Sequence, residues 1–211
     1  MNDVRPTICV VDDDASVREA LGNLLESVGF DAQLFSSTEQ FRRASNLDGP
    51  SCLLLDIRLP GANGLDFQES LQKAGISIPI IFITAHGNVP MASRALRAGA
   101  VEFLMKPFQK NELLGAIRQA LERDRVQRTE NAELIAIQSR FNQLTSRESE
   151  VLELVVSGLT NKEIASHLAI SEVTTKMHRG QVMRKMNAAS LADLVRMSDK
   201  VKAYSRKEKA Q

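Results

Sequence analysis

Through the first 120 residues, short runs of consecutive apolar residues alternate with longer stretches whose apolar positions recur every three or four residues. Thr7 to Val11, Ala32 to Phe35, Cys52 to Leu55, Ile78 to Ile83 and Val101 to Leu104 read as strands. Ala15 to Val28, Thr38 to Ser45, Leu65 to Ala74, Val89 to Arg97 and Asn111 to about Glu122 read as helices. Cys52-Leu53-Leu54-Leu55 and Ile80-Ile81-Phe82-Ile83 lack the polar alternation of a half-exposed strand, as expected where both faces of a parallel sheet are covered. Five strand-then-helix repeats predict an α/β fold, a doubly wound five-stranded parallel sheet.

After residue 144 the strand signals vanish and helical patterns follow, interrupted at Ser157-Gly158, Leu168 to Ser171 and Asn187 to Ser190. This part is expected to be all-α. Between the two lies a charged, Gln-rich stretch without Pro or Gly, with Leu134, Ile137, Phe141 and Leu144 at 3-4-3 spacing. It reads either as a short dimer seam or as a solvated helix packed loosely on its own chain. The resulting division is an α/β domain over 1–120, a helical linker over 121–143, a helical domain over 144–203, and a basic tail over 204–211 expected to be disordered.

Charge changes the picture only when divided by position. The net charge of +1 over 211 residues conceals −3 in residues 1–140 and +4 in 141–211, so the helical part is the one suited to a polyanion. No run approaches the roughly 18 apolar residues of a membrane span, and the N-terminus, with Asp3 and Arg5, has no apolar leader pattern, so no membrane association and a cytoplasmic location are expected. Cys9 and Cys52 both fall inside apolar strand runs and read as buried thiols rather than a disulfide or metal site.

In an open doubly wound sheet the ligand site lies beyond the carboxyl ends of the strands. There the first strand delivers Asp12, Asp13 and Asp14, the third Asp56, the fourth Thr84 and the fifth Lys106. Clustered carboxylates repel unless a cation or shared protons neutralise them, and with no His or Cys among them the fitting cation is a hard one, Mg2+. Lys106 and Thr84 offer a point charge and a hydroxyl to phosphoryl oxygens. An Asp in such a site can act as nucleophile and form an acyl phosphate. Asp14 reads more simply as a helix cap.

These residues carry a resemblance. Val10-Val11-Asp12-Asp13-Asp14, Leu54-Leu55-Asp56-Ile57-Arg58-Leu59-Pro60-Gly61, Thr84-Ala85-His86-Gly87 and Leu104-Met105-Lys106-Pro107-Phe108 resemble, in order and spacing, the flavodoxin-like receiver domains of two-component response regulators. The resemblance implies that Asp56 accepts a phosphoryl group from a sensor histidine kinase. It implies that Asp13, Asp56 and the Arg58 backbone carbonyl bind Mg2+ with Asp12 supporting from behind, and that Thr84 and Lys106 hold phosphoryl oxygens. By the same analogy Lys106-Pro107 is a cis peptide and Phe103 an aromatic switch beside Thr84, its plain alternative being a core aromatic. Such a protein is a regulator, not an enzyme, beyond its own phosphotransfer and dephosphorylation.

The helical part has its own signals. Thr145-Ser146-Arg147-Glu148 is a capping-box pattern opening a helix with Val151, Leu152, Leu154 and Val155. A second helix, about Asn161 to Leu168, is followed by the short turn Ala169-Ile170-Ser171 and a third helix to about Met186, the spacing of a helix-turn-helix. If Val182 and Met186 face the core, Thr175 and His178 lie on the same inner stripe, and Lys176, Met177, Gly180 and Arg184 lie outside with Thr174 and Arg179 beside them. Lys and Arg suit guanine or phosphate, and Met177 suits a thymine methyl.

Leu144-Thr145-Ser146-Arg147-Glu148, Asn161-Lys162-Glu163-Ile164-Ala165, Lys176-Met177-His178-Arg179 and Arg184-Lys185-Met186 are similar to the LuxR-type helix-turn-helix. With the receiver motifs they resemble the FixJ and NarL group of transcription factors, departing from it at Thr175 and at the side-chain-less Gly180. The implied DNA contacts are Asn161, Lys162, Thr174, Lys176, Met177, Arg179 and Arg184. The implied partners are double-stranded DNA, the kinase, a second copy of the chain on phosphorylation, and RNA polymerase.

Two other classes are weighed against this. A phosphohydrolase of the haloacid dehalogenase kind also pairs an Asp nucleophile with Thr and Lys, but it carries Asp-x-Asp after its first strand, whereas here three successive Asp residues stand there and Asp56 is the acidic residue after the third. Turnover of a small phosphate ester separates the two. A phosphorylated adaptor whose helical part binds protein is separated by a salt-sensitive shift of duplex DNA.

Overall fold

The computed structural model describes residues 5–44, 49 and 51–209. The chain divides into two compact units, 1–128 and 129–211.

In the first unit, β1 (Thr7–Val11), β2 (Asp31–Phe35), β3 (Ser51–Asp56), β6 (Ile80–Thr84) and β7 (Glu102–Met105) form one parallel sheet in the order β2-β1-β3-β6-β7. The apolar runs are explained by their two neighbours. Cys9, Val11, Leu53, Leu55 and Phe82 face one core with Phe41, Leu65, Leu71 and Ala95 from α2 (Thr38–Ala44), α3 (Gly64–Lys73) and α4 (Val89–Arg97). Ile8, Val10, Cys52, Leu54, Ile81 and Ile83 face the other with Leu21, Leu25, Leu113 and Ile117 from α1 (Ala15–Ser27) and α5 (Lys110–Phe141). Cys9 and Cys52 are therefore sealed on opposite faces, both free and buried. Burial pushes the Cys9 thiol up to about 12 and Cys52 further.

Asp14 caps α1, accepting from the amides of Ser16 at 2.8 Å and Val17 at 3.2 Å. A small antiparallel hairpin, β4 (Arg58–Leu59) with β5 (Ala62–Asn63), was not anticipated. Two-residue strands show no period, and the turn is made by Gly61 at φ 75.

The expected boundary near residue 120 is corrected: α5 is unbroken from Lys110 to Phe141. Its middle is part of the first unit, because Asp124 is buried and accepts from the Ser51 amide at 3.1 Å and from Arg128 at 2.6 Å. Arg123 also donates to the Gly99 carbonyl at 3.0 Å.

In the second unit, distal α5, α6 (Ser146–Val156), α7 (Asn161–His167), α8 (Glu172–Met186) and α9 (Leu191–Lys209) enclose Ile137, Val151, Leu152, Val155, Ile164, Val182, Met186 and Leu194. Phe141 and Leu144 pack on this core, so the 3-4-3 stripe is mostly spent within its own chain rather than left as a seam. Leu134 lines an apolar groove with Ile135, Val201 and Tyr204. The expected disordered tail is also corrected: α9 continues to Lys209, as Lys, Glu, Arg and Ala with no Gly or Pro permit. Residues 210 and 211 lie outside the described residues.

Candidate metal centre and nucleic-acid interface

The strand order places the switch point between β1 and β3, and the acidic residues follow those two strands. Single carboxylate oxygens of Asp12, Asp13 and Asp56 lie within 4.8 Å of one another. Asp12 is fully buried, Asp56 is 7% exposed and Asp13 is exposed. Lys106 donates from Nζ to Oδ2 of both Asp12 and Asp56, the latter at 2.8 Å.

The remaining oxygens are held by the backbone. Asp12 Oδ1 accepts from the Asp14 amide and Asp56 Oδ1 from the Arg58 amide, both at 3.0 Å. Arg18 donates to the Asp12 carbonyl at 2.6 Å, a contact that sequence pattern did not reveal. Burial pushes the Asp12 carboxyl above the usual carboxylate range, although Lys106 and the Asp14 amide pull the other way. For Lys106 burial opposes the charge, but its bonds to Asp12 and Asp56 prevail and raise it.

Register brings the other two strand ends to the same rim. Asp56 is paired with Ile83, so Thr84 stands one residue beyond it; Thr84 is paired with Met105, so Lys106 stands one residue beyond that. Lys106 N donates to the Thr84 carbonyl at 2.8 Å, and Lys106-Pro107 is cis. Thr84 is buried, its Oγ1 accepts from the His86 amide at 3.3 Å, and its hydroxyl proton has no acceptor among the described residues.

Phe103 is half-buried, with its ring centroid 6.4 Å from that of Phe82. A Cβ at Gly87 would come within 2.7 Å of the Phe103 ring and 3.1 Å of the Thr84 methyl, so this glycine makes room for both. Gly64 does the same for the loop that follows β3. Its amide donates to the Ile57 carbonyl at 2.8 Å, and a Cβ there would strike the Asp56 carbonyl oxygen and meet Ile57 Cα at 3.0 Å. The donor set is all oxygen, with two carboxylates anchored by amides and one facing solvent. This fits a hard divalent cation that keeps several waters.

In the second unit two capping boxes start the helices. The expected one joins Thr145 and Glu148, and a second, legible as Thr-x-x-Glu but overlooked, joins Thr160 and Glu163 at α7. Ala169 makes the turn into α8 at φ 53, a left-handed conformation unusual for a residue with a Cβ.

On α8 the inner stripe falls as expected: Thr175, Val182 and Met186 are buried and His178 is half-buried. Lys176, Met177, Gly180 and Arg184 are exposed, as is Lys162 on α7. Four of the residues expected to contact DNA, Asn161, Thr174, Arg179 and Arg184, already have side-chain partners. Thr174 Oγ1 is 2.8 Å from the Ser171 hydroxyl that caps the helix, Arg179 donates to Asn161 Oδ1 at 3.0 Å, and Arg184 bonds Gln181. Lys176 has no partner among the described residues. Val173, at the start of α8, is 80% exposed, a position a lone valine's sequence context does not signal.

Residues 8–118 match the family described as response regulator receiver domain, and residues 142–198 match bacterial regulatory proteins of the luxR family. The chain is 48% identical to Nodulation protein W of Bradyrhizobium diazoefficiens, over 91% of this chain and 85% of that protein. It is 40% identical to the transcriptional regulatory protein FixJ of Azorhizobium caulinodans, over 90% of each. Among solved structures it resembles the response regulator StyR with TM-score 0.82 and 46% identity, covering 93% of this chain and 100% of that one.

Proposed function

The chain belongs to the response regulators that join a receiver domain to a LuxR-type DNA-binding domain, and from that premise we propose that Asp56 is its phosphoryl acceptor and that phosphorylation there governs operator binding through α8. The observation that carries this reading is the Lys106 ammonium held between Asp12 and Asp56.

In the proposed reaction an Asp56 carboxylate oxygen attacks the phosphorus of a phosphohistidine on a sensor histidine kinase. The P–N bond breaks, the imidazole leaves, and an acyl phosphate forms. Lys106 passes from the carboxylate to a phosphoryl oxygen, and the Thr84 hydroxyl donates to another. Asp13, Asp56 and the Arg58 carbonyl would hold Mg2+ with Asp12 behind them; when bound, the ion offsets the charge of the carboxylates and the transferring group. As Thr84 is drawn to the phosphoryl group, the Phe103 ring turns toward the space it leaves.

A helical domain of this size contacts one half-site weakly, so a phosphorylation-dependent homodimer gains affinity by making the second half-site contact intramolecular. RNA polymerase is the further partner of such a factor. No helix among the described residues is long and apolar enough to cross a membrane; a cytoplasmic location is part of the proposal.

The test is phosphorylation with a small phosphoramidate in Mg2+. The wild type should acquire a hydroxylamine-labile label and sediment as a dimer, and Asp56→Asn should do neither. Labelling of the variant at the wild-type rate would remove Asp56 as acceptor.

A further inference from the structure

The first two turns of α8 present few polar groups to a partner. Ser171 accepts from the Thr174 amide at 3.0 Å and bonds the Thr174 hydroxyl; Thr175 is buried and returns its hydroxyl to the Ser171 carbonyl at 3.1 Å. Glu172, also exposed, has the wrong sign for a phosphate. What remains on the outside is Val173, Lys176 and Met177, the two apolar side chains 80% and 55% exposed.

Val173 and Met177 are four residues apart, so they share a face one above the other, roughly 6 Å along the axis. Beyond them Gly180, with nothing within 4 Å of the place a Cβ would take, leaves the face open. Two exposed apolar groups beside Lys176, which is without a partner among the described residues, suit the floor of a major groove better than its phosphate walls. In that groove the apolar group offered by a base pair is the C5-methyl of thymine.

We infer that Val173 and Met177 form a paired apolar reader for two thymine methyl groups. With base steps of about 3.4 Å and roughly 6 Å between the side chains, the two thymines lie within about two steps of each other in each half-site. Val173 is a specificity residue in its own right, and Lys176 between the two reads an adjoining base or holds a phosphate. The inference rests on the proposed docking of α8 in DNA.

The experiment selects duplexes from a random pool with the phosphorylated full-length protein, then replaces each thymine of the selected half-site, one at a time, by deoxyuridine. That exchange deletes the methyl group and leaves the pairing edge unchanged. Loss of one buried methyl contact should weaken binding about fourfold. Two positions should show it. In Val173→Ser the effect should disappear at one of them, and in Met177→Ser at the other, while circular dichroism stays that of the wild type because both residues are exposed. If no duplex is selected, the docking reading itself fails. If duplexes are selected and bound but no deoxyuridine weakens them, or if Val173→Ser keeps both sensitivities, the apolar reader is wrong and the docking stands.

Discussion

At the rim of the receiver Lys106, Asp12 and Asp56 are committed to one another and to backbone amides, whereas on the outer stripe of α8 Lys176 has no partner among the described residues and two apolar side chains stand in solvent. Both regions are read as binding sites for phosphate-bearing partners, yet their electrostatics are opposite in kind. The rim groups are desolvated, so a charge removed there leaves others uncompensated, and the site is coupled to the stability of the fold. The α8 groups are solvated and screened, so they contribute little until DNA arrives, and their contribution then depends on salt. On the proposed reading, a site for chemistry holds its charges in place beforehand, and a surface for scanning sequence keeps them uncommitted.

The widest separation between the two should come from changing one lysine in each. Lys106→Met leaves Asp12 and Asp56 facing one another without a cation and should cost about 2 to 4 kcal/mol of stability in urea unfolding followed by circular dichroism. Lys176→Met should move the same measurement by less than about 0.5 kcal/mol. Equal losses would mean that the rim is no more coupled to folding than the surface is.

Glu148 tests whether the second unit has a coupled charge away from its DNA face. The Lys185 ammonium at 2.6 Å, together with the Thr145 amide, holds its carboxyl below the ordinary value of 4.5. The stabilisation is full above that ordinary value and is lost as pH falls through the lowered folded one. Glu148→Gln should cost about 1 to 2 kcal/mol at pH 7 and flatten the acid side of the profile. Tyr204, the chain's single tyrosine in the absence of tryptophan, supplies a fluorescence signal from this unit. A profile unchanged by the substitution would break the assignment.

The smallest effect is expected at the turn into α8. Ala169→Gly removes the Cβ penalty at φ 53 and should raise stability by about 0.5 to 1 kcal/mol by the same probe. DNA affinity should be unaltered, since the stripe itself is untouched.

Most of the first site was legible because its chemistry follows strand ends, and apolar runs mark where strands end. Asp12, Asp56, Thr84 and Lys106 were named from that rule, and the register brings them together. The helix expected from Val89 to Arg97 is α4, and there Asn88 accepts from the Met91 amide with Pro90 in the first turn. What escaped depends on partners far along the chain. Asp124 reads as one more charge in a polar stretch until Ser51, 73 residues away, is placed beside it. Likewise Ile137 and Phe141 show the same period whether they pack on a second copy or on Val151 and Met186 of their own chain. On α8 the periodicity identified the outer face correctly but not which of its polar groups were spent, because that depends on the cap at Ser171 and on Asn161 across the turn.

Gly64 bears on how the proposed acceptor, Asp56, can vary. Its hydrogen is the largest substituent that fits against the Asp56 carbonyl, and the loop returns there to bond Ile57. Any side chain at that position must move the backbone carrying Asp56, and with it the carboxylate that accepts from Lys106 at 2.8 Å. The tolerance of the acceptor to change is thus set eight residues downstream, at a position that bears no functional group.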